Sequence, residues 1–223
     1  MKKNISLKKT VLLAAVGMLI FSACRKDNYY MDGGLSKQSE EEKRMTVYDF
    51  LASRPNHMFD SLVKIIDLTN TKAAVNTANI TFFAAPNSAV LRLQMNYNPD
   101  DRQTPKPLAD IGKDTLTALL GRFIVPNAKV DLEQAVKDKA RYYYAANRDT
   151  LILSGVDGGT SASSSLQTSA YRMVYTHLKI PGVDTIMYSA SIQTHNLVTA
   201  NAIVHVLTNG SSFAAGLKQK YNR

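Results

Sequence analysis

The sequence predicts an α+β fold, with an N-terminal helical group leading into a compact, mostly antiparallel set of strands. Three stretches carry that prediction. Phe59, Leu62, Val63 and Ile66 recur at i, i+3, i+4 and i+7, one face of a helix. Tyr142-Tyr-Tyr-Ala145 and Thr150-Leu-Ile-Leu153 flank Asn147-Arg148-Asp149, which is a hairpin pattern. Ser191 to Leu207 holds two short apolar runs, Ile192 with Leu197-Val198 and then Ile203 to Leu207, around Ala200-Asn201-Ala202. Asn201 suits a left-handed turn residue. Ile203 to Leu207 is short, β-branched and nearly continuous, so it reads as a buried strand.

The chain has 223 residues and a formal charge of +9. Lys2, Lys3, Lys8 and Lys9 precede an apolar run from Val11 to Phe21. That run falls short of the ~20 apolar residues a membrane span needs, so it reads as a targeting signal over residues 1–23. Phe21-Ser22-Ala23-Cys24 places small residues directly before the only cysteine. This resembles a lipoprotein signal, with Phe21 where Leu is usual, and it makes Cys24 the expected lipidation site. Acylation there implies anchorage in the outer membrane of a cell envelope, and it removes the one thiol that a disulfide or a thiolate metal site would use. The remaining cations are scattered rather than gathered in a stripe, so no nucleic-acid partner is expected.

Residues 24–44 read as a flexible tether and 45–223 as one domain. Thr46 with Asp49 makes a near capping box, and Val47, Phe50 and Leu51 fall on one helical face before Pro55. His57 reads as an exposed residue at a helix start. Asn70 to Asn79 reads as a polar connection. Ile80 to Phe83 is a strand, and Pro86-Asn87-Ser88 turns it into a helix, with Asn87 or Ser88 as the cap. A polar insertion near 94–113 contains Asp100-Asp101, read as solvated. Asp114 is expected to cap the next helix, Phe123 to Asn127 to form a strand and turn, and Val130 to Val136 a short helix. Tyr142 and Tyr144 share one strand face and form a candidate binding surface. A Gly- and Ser-rich insertion near 154–170 reads as a surface loop. Strands follow at Tyr171 to Ile180 and Thr185 to Tyr188, and the tail from Leu217 reads as frayed.

Two segments resemble the signatures of fasciclin (FAS1) domains. In "TFFAAPNSAV" the residues Phe83, Ala84, Asn87 and Ala89 match, while Pro86 is displaced by one position and Val90 replaces Phe. In "NAIVHVL" the residues Asn201 and His205 match, with Ala202 where Gly is usual. The opening helices are also similar, so the resemblance spans Thr46 to Leu207. It implies a FAS1-like β-wedge or sandwich behind the helices, with the motif residues acting structurally. Some relatives carry Tyr-His before the central Val-Pro at a site of integrin recognition. Arg122-Phe123 stands there instead, which argues against that activity.

No catalytic constellation emerges. His177, His195 and His205 lie 18 and 10 residues apart, without metal-site spacing. No Gly-x-Ser-x-Gly elbow occurs, and Gly155, Gly158 and Gly159 lack the Lys and Ser or Thr of a phosphate loop. Four Asp-Ser/Thr-aliphatic triplets, at Asp60, Asp114, Asp149 and Asp184, resemble O-glycosylation sites, but Asp and Thr also favour the starts of elements. The expected function is a non-catalytic, membrane-anchored adhesion or interaction module with an unknown protein or glycan ligand and no cofactor or metal. The alternative is a glycan-binding accessory lipoprotein of a polysaccharide-uptake system.

Overall fold

A computed structural model describes residues 38–96, 104–157, 171–178 and 187–214. Its helices are α1 (Glu40–Arg44), α2 (Val47–Ala52), α3 (Asp60–Thr69), α4 (Lys72–Val75), α5 (Asn87–Asn96), α6 (Lys113–Gly121) and α7 (Leu132–Asp138). Its strands are β1 (Ile80–Ala84), β2 (Ile124–Val125), β3 (Ala140–Tyr144), β4 (Thr150–Asp157), β5 (Tyr171–His177), β6 (Tyr188–Val198) and β7 (Ala202–Leu207). This is the expected α+β fold: a helical group comes first, α5, α6 and α7 are interleaved with β1 and β2, and the antiparallel run β3 to β7 follows. None of the described helices is long and apolar enough to cross a membrane.

The sheet runs in the order β2-β1-β7-β6-β5-β4-β3. β7 therefore sits inside it rather than closing it. Its partner β1 runs parallel, the one parallel pair in the described sheet, with Phe83 opposite His205. All five residues of β1 are buried, as a parallel strand covered on both faces requires. β6 pairs with β5 through Tyr188 to Ser191 and with β7 from Ile192 onward, and bulges interrupt the second pairing. Bulges bend a strand. The bend explains why Phe83 on β1 and Tyr175 on β5 have ring centroids 5.0 Å apart, although three strand spacings in a flat sheet amount to about 14 Å. The two halves of the sheet fold towards one another, and Phe83, Tyr175, Phe123 and Phe213 fill the interior with ring-on-ring contacts.

The helical group forms as its sequence asks. Thr46 caps α2, accepting from the Asp49 amide at 3.3 Å while its hydroxyl donates to the Asp49 carboxylate at 2.7 Å. Leu62, Ile65 and Ile66 of α3 are fully buried. Asn70, in the left-handed region at φ 56°, ends that helix. The polar connection after it contains α4, which buries Val75.

Several expectations need correction. Gln38 to Arg44, assigned to the tether, is attached to the body. Ser39 and Glu42 form a capping box, Glu42 pairs with Arg54, and the Gln38 amide group bonds both backbone groups of Val198 at 3.1 and 2.6 Å. The Ser-x-x-Glu signature was present, but a charged run reads as solvated. The insertion near 94–113 is partly structured, since α5 reaches Asn96 and a 3₁₀ turn at Leu108–Asp110 buries Leu108 and Ile111. Asp114 does not cap α6; Gly112 occupies the cap position and Asp114 is the second residue of the helix, in its first turn, where a negative charge suits the helix dipole. Ser154 to Asp157 belongs to β4 rather than to a loop. Gly155 is glycine because a Cβ there would lie 2.3 Å from the Val136 Cα of α7. Asp100-Asp101, Asp184-Thr185-Ile186, residues 158–170 and the tail beyond 214 lie outside the described residues.

Candidate functional site

Three polar groupings stand out from the apolar body. The first is the pair of segments Phe83 to Ala89 and Asn201 to His205. Phe83, Ala84, Ala89 and His205 are wholly buried and Asn201 nearly so. Asn201 is not the left-handed turn residue expected; among the described residues of this hairpin that conformation belongs to Asn196, at φ 58° in the bulged part of β6. The Asn201 side chain instead accepts from the Val47 amide at 3.0 Å and donates to the carbonyls of Val75 and Thr77 at 3.2 and 3.0 Å. It ties α2, α4 and the approach to β1 onto the start of β7. Asn87 behaves similarly. It caps nothing of its own helix; its carbonyl accepts from the Ser61 amide at 2.9 Å in the first turn of α3, and its amide donates to the His57 carbonyl at 2.7 Å. Ser88 reaches the Asn209 carbonyl at 3.1 Å.

His205 lies against Phe83, with ring centroids 5.5 Å apart. Its Nε2 donates to the Val130 carbonyl at 2.8 Å and its Nδ1 accepts from the Asn196 amide at 3.4 Å. His195, whose ring is 6.1 Å away, accepts the Met173 amide on Nε2 at 3.0 Å. Each acceptor nitrogen faces an N–H, so each ring is held neutral. Burial lowers the His205 pKa to about 3 and the His195 pKa to about 4. This pairing across the bent hairpin is invisible in a linear spacing of ten residues.

The second grouping was missed by sequence reasoning. Asp149, at the end of the β3–β4 turn, accepts on one carboxylate oxygen from His177 Nε2 at 2.8 Å, Asn147 Nδ2 at 2.8 Å and Arg122 Nε at 3.0 Å. His177 and Arg122 are buried. Burial works to raise the Asp149 pKa, but the bonds from His177 and Asn147 and the Arg122 charge outweigh it and hold it below the usual value. The cluster joins three segments that the sequence presents separately. The one local clue was a charged residue, Arg122, leading directly into the apolar run Phe123 to Val125. Beside it, a cleft of about 350 Å³ lies between α6 and the turn that carries Asn147; Asp114 is the one ionisable residue among its described lining.

The third grouping is on the outside. Tyr142 and Tyr144 on β3 are 68% and 73% exposed, while Tyr143, between them, packs against the core. Among the described residues no group of three or more His, Cys, Asp or Glu is arranged to hold a metal ion. Asp60, Asp114 and Asp149 with their Ser or Thr neighbours lie at the starts of α3, α6 and β4, positions in which Asp and Thr serve turns and first helical turns.

No protein-family model matches the sequence. No curated protein matches it either. Among solved structures, similarity is found to a pair of FAS1 domains from the insect cell adhesion molecule fasciclin I. It has a TM-score of 0.47 and 10% identity, and covers 74% of this chain and 47% of that one. The chain thus spans about half the length of that structure.

Proposed function

We propose that the chain is a fasciclin-like interaction module without catalysis, held to an envelope membrane by lipid on Cys24. One observation carries the reading. The strand parts of the two segments resembling the FAS1 signatures, more than a hundred residues apart in the chain, are paired side by side within the sheet, Phe83 beside His205. Their polar groups are spent on internal hydrogen bonds. A buried, satisfied histidine has no proton or lone pair left for chemistry. Recognition then belongs to the outer surface, where Tyr142 and Tyr144 stand.

The leader and Cys24 supply the anchor, and the tether ends where Gln38 is fastened to β6. The outer membrane is the expected location. The test is made on protein purified from native envelope. Intact mass is expected to show a mature chain beginning at acylated Cys24, and photo-crosslinking from position 144 to trap an envelope component that position 65, in the core, does not. A soluble, unacylated chain would remove the anchor. Turnover of a substrate, abolished by a point change that leaves the fold intact, would remove the non-catalytic reading. The alternative, a glycan-binding accessory role in polysaccharide uptake, is favoured by the exposed tyrosines.

A further inference from the structure

We infer that the β3 edge is a binding site for an acidic polysaccharide. The inference rests on the interaction-module reading and names its ligand class. β3 is the last strand of the sheet and pairs only with β4 among the described strands. Tyr142 and Tyr144 point to the same face of it, about 7 Å apart by strand geometry. They are the most exposed large apolar side chains among the described residues. Their cross-strand neighbours on that face are Ile152 and Thr150, followed by Thr176 and Ser189. The ring pair therefore borders hydroxyls and no charge.

Cations bracket the rings along the strand. Lys139 stands at its start and Arg148 in the turn at its end, both exposed, while Arg141 alternates onto the opposite face, over the Tyr143 ring. The acids nearby are already engaged. Asp138 lies 3.5 Å from Arg141 and accepts from Gln134 at 2.7 Å. Asp149 is taken up by His177 and Arg122. The edge thus carries net positive charge around two aromatic platforms over a run of about 17 Å.

Charge and shape together select the occupant. A second copy of this chain would bring the same cations against these, and like charges across a sheet edge repel. Phenol faces stack on the C–H faces of sugar rings, threonine and serine hydroxyls match sugar hydroxyls, and flanking ammonium and guanidinium groups match carboxylate or sulfate groups recurring along a polymer. Single-stranded nucleic acid offers rings and anions too. A chain directed to the envelope favours the polysaccharide.

The lipidated chain in detergent micelles is run in affinity gels containing polygalacturonate, alginate or heparin, with neutral dextran and oligo-dT as comparators. Retardation by at least one acidic polysaccharide and not by dextran is expected, weakening as salt rises. Tyr142→Ala with Tyr144→Ala should reduce affinity at least about tenfold, the scale of losing an aromatic stacking partner. Lys139→Glu with Arg148→Glu should abolish binding and its salt dependence. Thermal unfolding should be unchanged in both variants, since all four side chains are exposed. No retardation by any of the three, equal retardation by dextran, wild-type binding by the variants, or tighter binding to oligo-dT would each overturn the inference. If crosslinking from position 144 still traps an envelope component, such a failure removes the polysaccharide and leaves the module; if both fail, the module goes too.

Discussion

Acid should destabilise this protein well above the pH at which Asp149 takes up a proton, because two histidines are locked neutral in its core. Folded, His205 and His195 take up protons only near pH 3 and 4. Unfolded, each does so near its ordinary 6.5. The unfolded chain therefore binds more protons below that value. Stability from the neutral rings is complete above pH 6.5 and is lost as pH falls towards the folded values. At pH 5 the loss is about 2 kcal/mol per ring, or about 4 kcal/mol together, a large share of a typical domain's 5–15 kcal/mol. Asp149 cannot mimic this. Its pKa is depressed below 3.8, so its contribution is lost only at lower pH. The geometry shows why the rings resist. A proton on His205 Nδ1 would face the Asn196 N–H, and one on His195 Nε2 would face the Met173 N–H. Urea unfolding followed by circular dichroism between pH 7.5 and 5 measures the effect, and His195→Gln should remove about half of it. Constant stability over that range, or an undiminished slope in the variant, would refute the reasoning.

Other perturbations read other joints of the fold. Gly155→Ala puts a methyl group 2.3 Å from the Val136 Cα and should cost about 3 kcal/mol of unfolding free energy, since α7 must lift off the sheet; a cost below ~1 kcal/mol would mean the helix is not seated there. Asn201→Ala removes three side-chain bonds and strands the Val47 amide, for an expected loss of about 3 kcal/mol in urea unfolding and faster amide exchange in α2. Arg122→Met leaves the Asp149 carboxylate under-compensated and should destabilise by about 3 kcal/mol at neutral pH. That deficit should narrow in acid as Asp149 takes up a proton, which unfolding at pH 7 and pH 3.5 would reveal.

Local patterns were enough for the helices and strands whose burial follows a period. α3, the β3–β4 hairpin and the buried strand Ile203 to Leu207 are legible because their residues alternate or recur with the geometry that buries them. Tyr142 and Tyr144 could be placed on one face for the same reason. Partners distant in the chain were beyond reach. Nothing near Asn201 says that its amide will tie α2 and α4 to β7, and nothing near Asp149 says that Arg122 and His177 will converge on it. Gly155 read as a loop residue because a glycine looks the same in a mobile turn and beneath a helix. Periodicity is a property of one segment and is written in its own residues. Which polar group meets which, and hence which histidines stay neutral, depends on how β6 bends and where β1 slides in beside β7, and that is settled only when the whole chain packs.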